Sequence, residues 1–255
     1  MSLPIWTPAA LSSELRPHAG RCWRLVEAQH VVSTAKLVDT LDEQALLEEL
    51  LEASKPPLPP ECQGLNYLLF TPFRYEPPYP HGSRFRRAGR TPGVYYAAER
   101  VETAVAELAF YRLLFFAEAP QVPWPDNAAP FTAFCASIAT PRALDLTAPP
   151  LDGDAATWTH PTAYAPCQEL ADGARAAGAE LIRYQSVRDP HAGANLAVLT
   201  CAAFAAPAPV EHQSWHIRLS ANGVQALCDF PRQRLGFDPA AFAGDPRIAG
   251  LDWQR

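Results

Sequence analysis

The chain has 255 residues, 48% hydrophobic and 19% charged, a globular composition too apolar for a disordered polymer. Its formal charge of −6 argues against a sequence-independent grip on nucleic-acid phosphates. No apolar run reaches the ~18 residues that a membrane helix requires, and 27 prolines against 13 glycines point to rigid connections between short elements.

In chain order, the N-terminus shows no basic stretch followed by an apolar core, so no secretion signal is read and a cytoplasmic location is expected. Residues 21–29 form a plausible first strand. The clearest helix follows: Thr40 and Glu43 make a capping box, Leu46, Leu47, Leu50 and Leu51 make one apolar stripe, and Pro56 and Pro57 end it. Its acidic face (Asp42, Glu43, Glu48, Glu49, Glu52) is either solvated or turned to a basic partner. Residues 56–92 read as a long loop with short strands, including 66–70. A strand is expected over 93–98 and a helix over 99–118, apolar nearly all round after 107 and therefore buried. Strands near 131–139 and 143–146 precede a helix over 165–177 that ends at Gly178. The remaining strands lie near 180–186, 195–203, 213–219 and 224–229, the last two joined through Asn222-Gly223. Without a βαβ rhythm, the expected fold is a mixed α+β domain spanning 1–255, with mostly antiparallel sheets and packed helices.

The six cysteines lie at 22, 62, 135, 167, 201 and 228, with no Cys-x-x-Cys pair, and are expected to be reduced, buried side chains. No metal site is expected. His212 and His216 have helical spacing, but the alternation of Trp215, Ile217 and Leu219 reads as a strand.

Chemistry concentrates in residues 81–112. Glu107 stands among Ala104, Val105, Ala106, Leu108, Ala109, Phe110 and Tyr111. A carboxylate in such surroundings needs a partner. The choice is between a salt bridge, to Arg84 or Arg112, and a carboxylate aimed into a pocket. Arg84, Arg86, Arg87 and Arg90 lie in a glycine-containing loop and suit either solvent or a pyrophosphate, which guanidinium grips with forked bonds. Tyr95 and Tyr96 must face opposite sides of their strand, one toward the core and the other toward a cleft. Arg24, mid-strand beside Trp23, is a sheet-edge charge or a ligand hook. A hydrolase set of Ser186, His160 and Asp189 is a different reading, and a binding module without turnover a third.

The order Trp23-Arg24, Gly82-Ser83-Arg84-Phe85-Arg86, Val94-Tyr95-Tyr96-Ala97-Ala98-Glu99, Glu102-Thr103-Ala104-x-x-Glu107 and Tyr184-Gln185-Ser186-Val187-Arg188 resembles the RES-domain family. These are the toxins of RES–Xre toxin–antitoxin pairs, named for an arginine, a glutamate and a serine. The resemblance runs from about residue 20 to 205 and makes the 40–80 stretch an insertion. It implies an ADP-ribosyltransferase-like core of the diphtheria-toxin type. NAD would then be a substrate rather than a bound cofactor, cleaved at the nicotinamide–ribose bond, with ADP-ribose passed to phosphate, water or a protein. It further implies Glu107, Tyr96 and Arg84 as catalytic residues, and Arg24, Arg84, Arg86, Tyr96 and Ser186 as NAD-binding residues. Thr162, Tyr164 or Gln168 would stand in for Ser186 if that serine only caps the backbone. The implied partner is an Xre-like helix-turn-helix antitoxin. No membrane and no direct nucleic-acid contact are expected, and a homodimer is left open.

Overall fold

The computed structural model describes residues 6–28, 37–74, 82–89 and 91–255. Its strands are β1 (Arg16–Glu27), β2 (Tyr95–Ala98), β3 (Ala129–Asp145), β4 (Leu181–Gln185), β5 (Ala194–Val198), β6 (Glu211–Ser220), β7 (Gly223–Cys228) and β8 (Gln233–Phe237). They form one sheet in the order β1-β2-β5-β4-β3-β6-β7-β8, and β1 also pairs with β3. Strands β1, β2, β5, β4 and β3 therefore close into a ring, from which β6, β7 and β8 continue as a meander. Only β3–β4 is parallel among the pairings. The mixed α+β class, mostly antiparallel, is as expected.

Two strands were expected where β3 runs unbroken for 17 residues. Its register with β1 passes from Arg16↔Ala143 to His18↔Thr140, so the irregularity falls at Pro17 and Pro141. Neither proline can donate to a ladder, and a bulge accommodates both without ending the strand. The β6–β7 hairpin forms as the Asn-Gly signal implies. Gly223 adopts φ +106°, and a Cβ there would meet Phe237 O at 2.1 Å, so glycine is required on two counts.

The helices are α1 (Pro8–Ser13), α2 (Leu41–Ala53), α3 (Tyr67–Arg74), α4 (Val101–Glu118), α5 (Ala155–Trp158) and α6 (Ala165–Ala176). Helix α4 buries Val105, Ala106, Ala109, Phe110 and Leu113 completely against Trp23, Ala133 and Trp215. Phe242, Ile248 and Leu251 from the C-terminal segment join that core. Helix α6 covers another part of the sheet, where Leu170, Ala171 and Ala174 meet Ile182 and Tyr184. A third cluster, with Tyr95, Phe134, Leu181 and Leu196, is closed by Leu69 of α3.

Helix α3 replaces the loop and strand expected over 66–70. The Asn66 side chain accepts from Leu68 N at 3.0 Å, and Leu69 and Phe70 donate to the Asn66 carbonyl. Asparagine at that position starts a helix, and burial of Leu69 completes it. Helix α2 carries the expected capping box, yet none of its residues is buried, and Leu46, Leu50 and Leu51 are exposed. Strand β8 and the turn Pro239–Phe242 went unread in the sequence. Residue 29 of the expected first strand, Arg90 and residues 75–81 lie outside the described residues.

The cysteine expectation is corrected for one pair. Cys62 and Cys201 form a disulfide with Cα atoms 5.5 Å apart across 139 residues of sequence, whereas Cys22, Cys135, Cys167 and Cys228 are free and buried. Sequence spacing does not show that the turns at Pro60–Cys62 and Cys201–Ala203 meet beside the ring. Among the described residues, no helix is long and apolar enough to cross a membrane.

Candidate active site

Helix α4 starts three residues after β2 ends, so its first turns lie at the edge of the ring. Thr103, Ala104 and Glu107 fall on one face, because residues three and four apart stack along a helix. Each has a separate task. Thr103 donates to Asp189 Oδ2 at 2.7 Å and moors the helix to the loop after β4. Ala104 is small and lines a cleft of about 620 Å³, and Glu107 projects into that cleft.

Glu107 is held through one oxygen. Its Oε1 accepts from Ser186 Oγ at 2.7 Å and from Asn195 Nδ2 at 2.6 Å. Neither Arg84 nor Arg112 pairs with it: Arg112 lies 3.8 Å from Glu27, and Arg84 is engaged elsewhere. The salt-bridge alternative is thereby corrected. Oε2 receives no hydrogen bond from the described residues, so the carboxylate is oriented with one oxygen left for a ligand. Burial, and next the charge of Glu107, push the Tyr184 phenol well above its ordinary range. Tyr184 therefore stays neutral.

Ser186 is 2% exposed and has two roles. Besides donating to Glu107, its Oγ accepts from the backbone of Arg188 at 3.2 Å and of Asp189 at 3.0 Å. It therefore caps the turn and positions the carboxylate at once. The hydrolase set is not assembled. Ser186 donates to Glu107, and His160 Nδ1 accepts from the backbone of Thr162 and Ala163.

Tyr95 is fully buried and Tyr96 lines the cleft, as strand alternation requires. The Tyr96 hydroxyl accepts from Phe85 N at 2.9 Å and shares a hydrogen bond of 2.8 Å with Ser83 Oγ, which ties the 82–86 loop to β2. Gly82 has φ +67°, and a Cβ there would come within 2.6 Å of Arg86 O. Gln168 of α6 completes the loop's support by donating to Ser83 O and Arg86 O.

The arginines separate by environment. Arg84 is 8% exposed, lines the cleft, and donates to Trp158 O at 2.6 Å and His160 O at 3.0 Å. Arg24 also lines the cleft, with its guanidinium 5.0 Å from the Tyr95 ring centroid. Arg86 bonds Thr91 through Nε and Nη2 and is not among the lining residues, and Arg87 pairs with Asp172 on the outside. Thr162 and Tyr164 reach the cleft.

Sequence reasoning missed three contributors as site residues. Asn195 is 2% exposed, lines the cleft and bonds Glu107, while its own Oδ1 is buried with no partner. The available signal was an amide at the start of an otherwise apolar strand. Arg188 was read only within a motif, and Arg247 carried no signal; both line the cleft.

The RES domain model matches residues 58–220, more than half of the chain. The chain belongs to the RES-domain family. The match includes Arg84, Tyr96, Glu107, Ser186 and Asn195, whereas Arg24 precedes it and Arg247 follows it. Among solved structures, the crystal structure of the M. tuberculosis MbcT–MbcA toxin–antitoxin complex is similar at 14% identity. The likeness covers 94% of this chain and 97% of that one, with a TM-score of 0.42, too distant to add to the family match. No curated protein matches this RES domain.

Proposed function

We propose that this RES domain is a toxin that cleaves NAD at the nicotinamide–ribose bond, using its cleft as ADP-ribosyltransferases of the diphtheria-toxin type use theirs. The observation that carries the reading is Glu107, fixed by Ser186 and Asn195 through Oε1 and otherwise open to the cleft. The donor set fits a dinucleotide: guanidinium groups for the diphosphate, an aromatic face on Tyr96 for the pyridinium ring, and a carboxylate for a ribose hydroxyl. A volume near 620 Å³ lies within the usual range of small-molecule sites, roughly 300–1,000 Å³.

When the C–N bond to nicotinamide breaks, its electron pair leaves with the ring, which becomes neutral, and positive charge develops at C1′ of the ribose. Glu107 Oε2, accepting from a ribose hydroxyl, favours that oxocarbenium-like state because the carboxylate is already oriented and needs no reorganisation. Stacking on Tyr96 is worth about 0.5–2 kcal/mol. It acts on the charged ground state, so it contributes binding more than rate. The acceptor then forms a new bond to C1′ and loses a proton.

Phosphate, water and a protein side chain each satisfy this scheme as acceptor. Incubation with NAD, with and without phosphate and a cell lysate, assigns the acceptor from the products: ADP-ribose, ADP-ribose-1″-phosphate or a modified protein. No nicotinamide release under any condition would contradict the reading. The partner we propose is an Xre-like helix-turn-helix antitoxin that covers the cleft, expected to abolish nicotinamide release at one equivalent.

A further inference from the structure

Arg84, Arg188 and Arg247 all line the cleft. Among the described residues, the one carboxylate in ion pairs with them is Asp245. Three cations against one anion leave an excess of two positive charges. Tyr164 connects two of them: Arg84 lies 4.9 Å from its ring centroid and Arg188 donates to its hydroxyl at 3.4 Å, while Arg188 and Arg247 both donate to Pro161 O, at 2.7 and 3.2 Å.

Arg247 differs from its neighbours in origin and exposure. It follows the turn at Pro239–Phe242 and lies beyond the part of the chain that the family model matches. Asp245 Oδ1 accepts from its backbone at 2.9 Å and its Nε at 3.0 Å, and Asp245 Oδ2 accepts from its Nη2 at 3.0 Å. Arg188 shares Asp245 Oδ2 and stacks on Phe110 at 4.0 Å, with Arg247 5.1 Å from the same ring. Asp245 and Pro161 thus take Nε and Nη2, leave Nη1 without a hydrogen bond to the described residues, and fix the guanidinium before any ligand arrives, which limits the ordering cost of binding. The Arg188 and Asp245 side chains are each 4% exposed, against 29% for Arg247. Arg188 and Asp245 form the buried inner pair, and Arg247 is its more exposed neighbour at the cleft.

We propose that Arg247 is the outer anchor of a diphosphate-binding wall, Arg84–Tyr164–Arg188–Arg247, and that it gives this RES domain its preference for a dinucleotide over an uncharged nucleoside. The proposal deepens the reading given above and rests on it: the two excess charges match the two charges of a dinucleotide's diphosphate.

The test measures binding without turnover, by calorimetry on the full chain carrying Glu107→Gln, with and without Arg247→Gln. The probes are NAD, ADP, adenosine and inorganic phosphate. Loss of a charge-assisted contact is expected to weaken NAD and ADP by roughly 10- to 100-fold and to leave adenosine unchanged. Arg247→Lys, which keeps the charge but not the guanidinium that Asp245 and Pro161 fix in place, is expected to fall between; it also serves if Arg247→Gln unfolds in a denaturation control. Equal NAD and ADP affinities in both chains would overturn the proposal, as would an equal loss for adenosine. If only inorganic phosphate responds to Arg247, the wall serves an acceptor and the proposal is wrong. Nicotinamide release by the wild-type chain is measured separately, so failure of the cleavage reading is distinguishable from failure of the wall.

Discussion

At the scale of single residues, the site depends on hydrogen bonds that orient one carboxylate. Ser186→Ala removes the bond to Glu107 Oε1 and the acceptor for two backbone N–H groups. Its expected cost is about 1–2 kcal/mol of stability by urea unfolding, with kcat for nicotinamide release falling roughly tenfold or more. Asn195→Ala breaks the second tether and removes the orphaned Oδ1 with it. It should lower kcat with little loss of stability, and an unchanged kcat would remove Asn195 from the machinery. Glu107, Tyr96 and Ser186 were singled out by the resemblance to the RES family, since strand alternation alone required only that Tyr95 and Tyr96 face opposite ways; Glu107 and Tyr96 line the cleft, and Ser186 meets it through Glu107. Asn195 and Arg247 were not singled out, because their roles exist only once β5 and the C-terminal turn reach the cleft. Arg86 shows the converse, an arginine that suits a ligand by type but is spent on Thr91.

At the scale of elements, the junction of α4 with the loop after β4 is set by close packing. A Cβ at Gly193 would meet Thr103 Oγ1 at 2.1 Å and Asp189 Oδ2 at 2.6 Å. Gly193→Ala must therefore displace the Thr103–Asp189 bond, and overpacking of this kind costs about 1–3 kcal/mol. Since the displaced helix carries Glu107, activity should fall along with stability, measured by nicotinamide release and urea unfolding of the same sample. The sequence showed α4, α6 and the hairpin clearly, since their apolar periodicity and turn residues are local signals. It misread 66–70 because four consecutive apolar or aromatic residues, Tyr67 to Phe70, fit a buried strand as well as a helix; the Asn66 cap and the packing of Leu69 decide between them.

At the scale of the whole molecule, distant segments are held by a few polar and covalent ties. The Cys62–Cys201 disulfide closes a span of 139 residues and should contribute about 2–4 kcal/mol. A reductant, or Cys201→Ser, is expected to lower the urea midpoint, and an unchanged midpoint would show that the bond adds nothing to stability. Asp245 ties the C-terminal segment to Arg188. Burial raises its pKa, but hydrogen bonds from Arg247 and the charges of Arg188 and Arg247 outweigh that and hold it below the ordinary 3.8. A depressed carboxyl stabilises the fold fully above its unfolded value and loses that contribution as pH falls through the folded value. Stability should thus drop below about pH 4, and Asp245→Asn should flatten the drop in urea midpoints measured from pH 6 to pH 2. The same ties explain why the closed ring was not foreseen: composition and periodicity indicate strands, while the second partner of β1 is a matter of long-range pairing.

The most direct test of the account compares nicotinamide release from NAD by the wild-type chain and by Glu107→Gln, with NAD affinity measured for both. Glutamine keeps the shape and the bonds from Ser186 and Asn195 but carries no charge to offset a developing cation. The account expects similar affinities and a rate reduced at least 100-fold. Equal rates at equal affinity would contradict it.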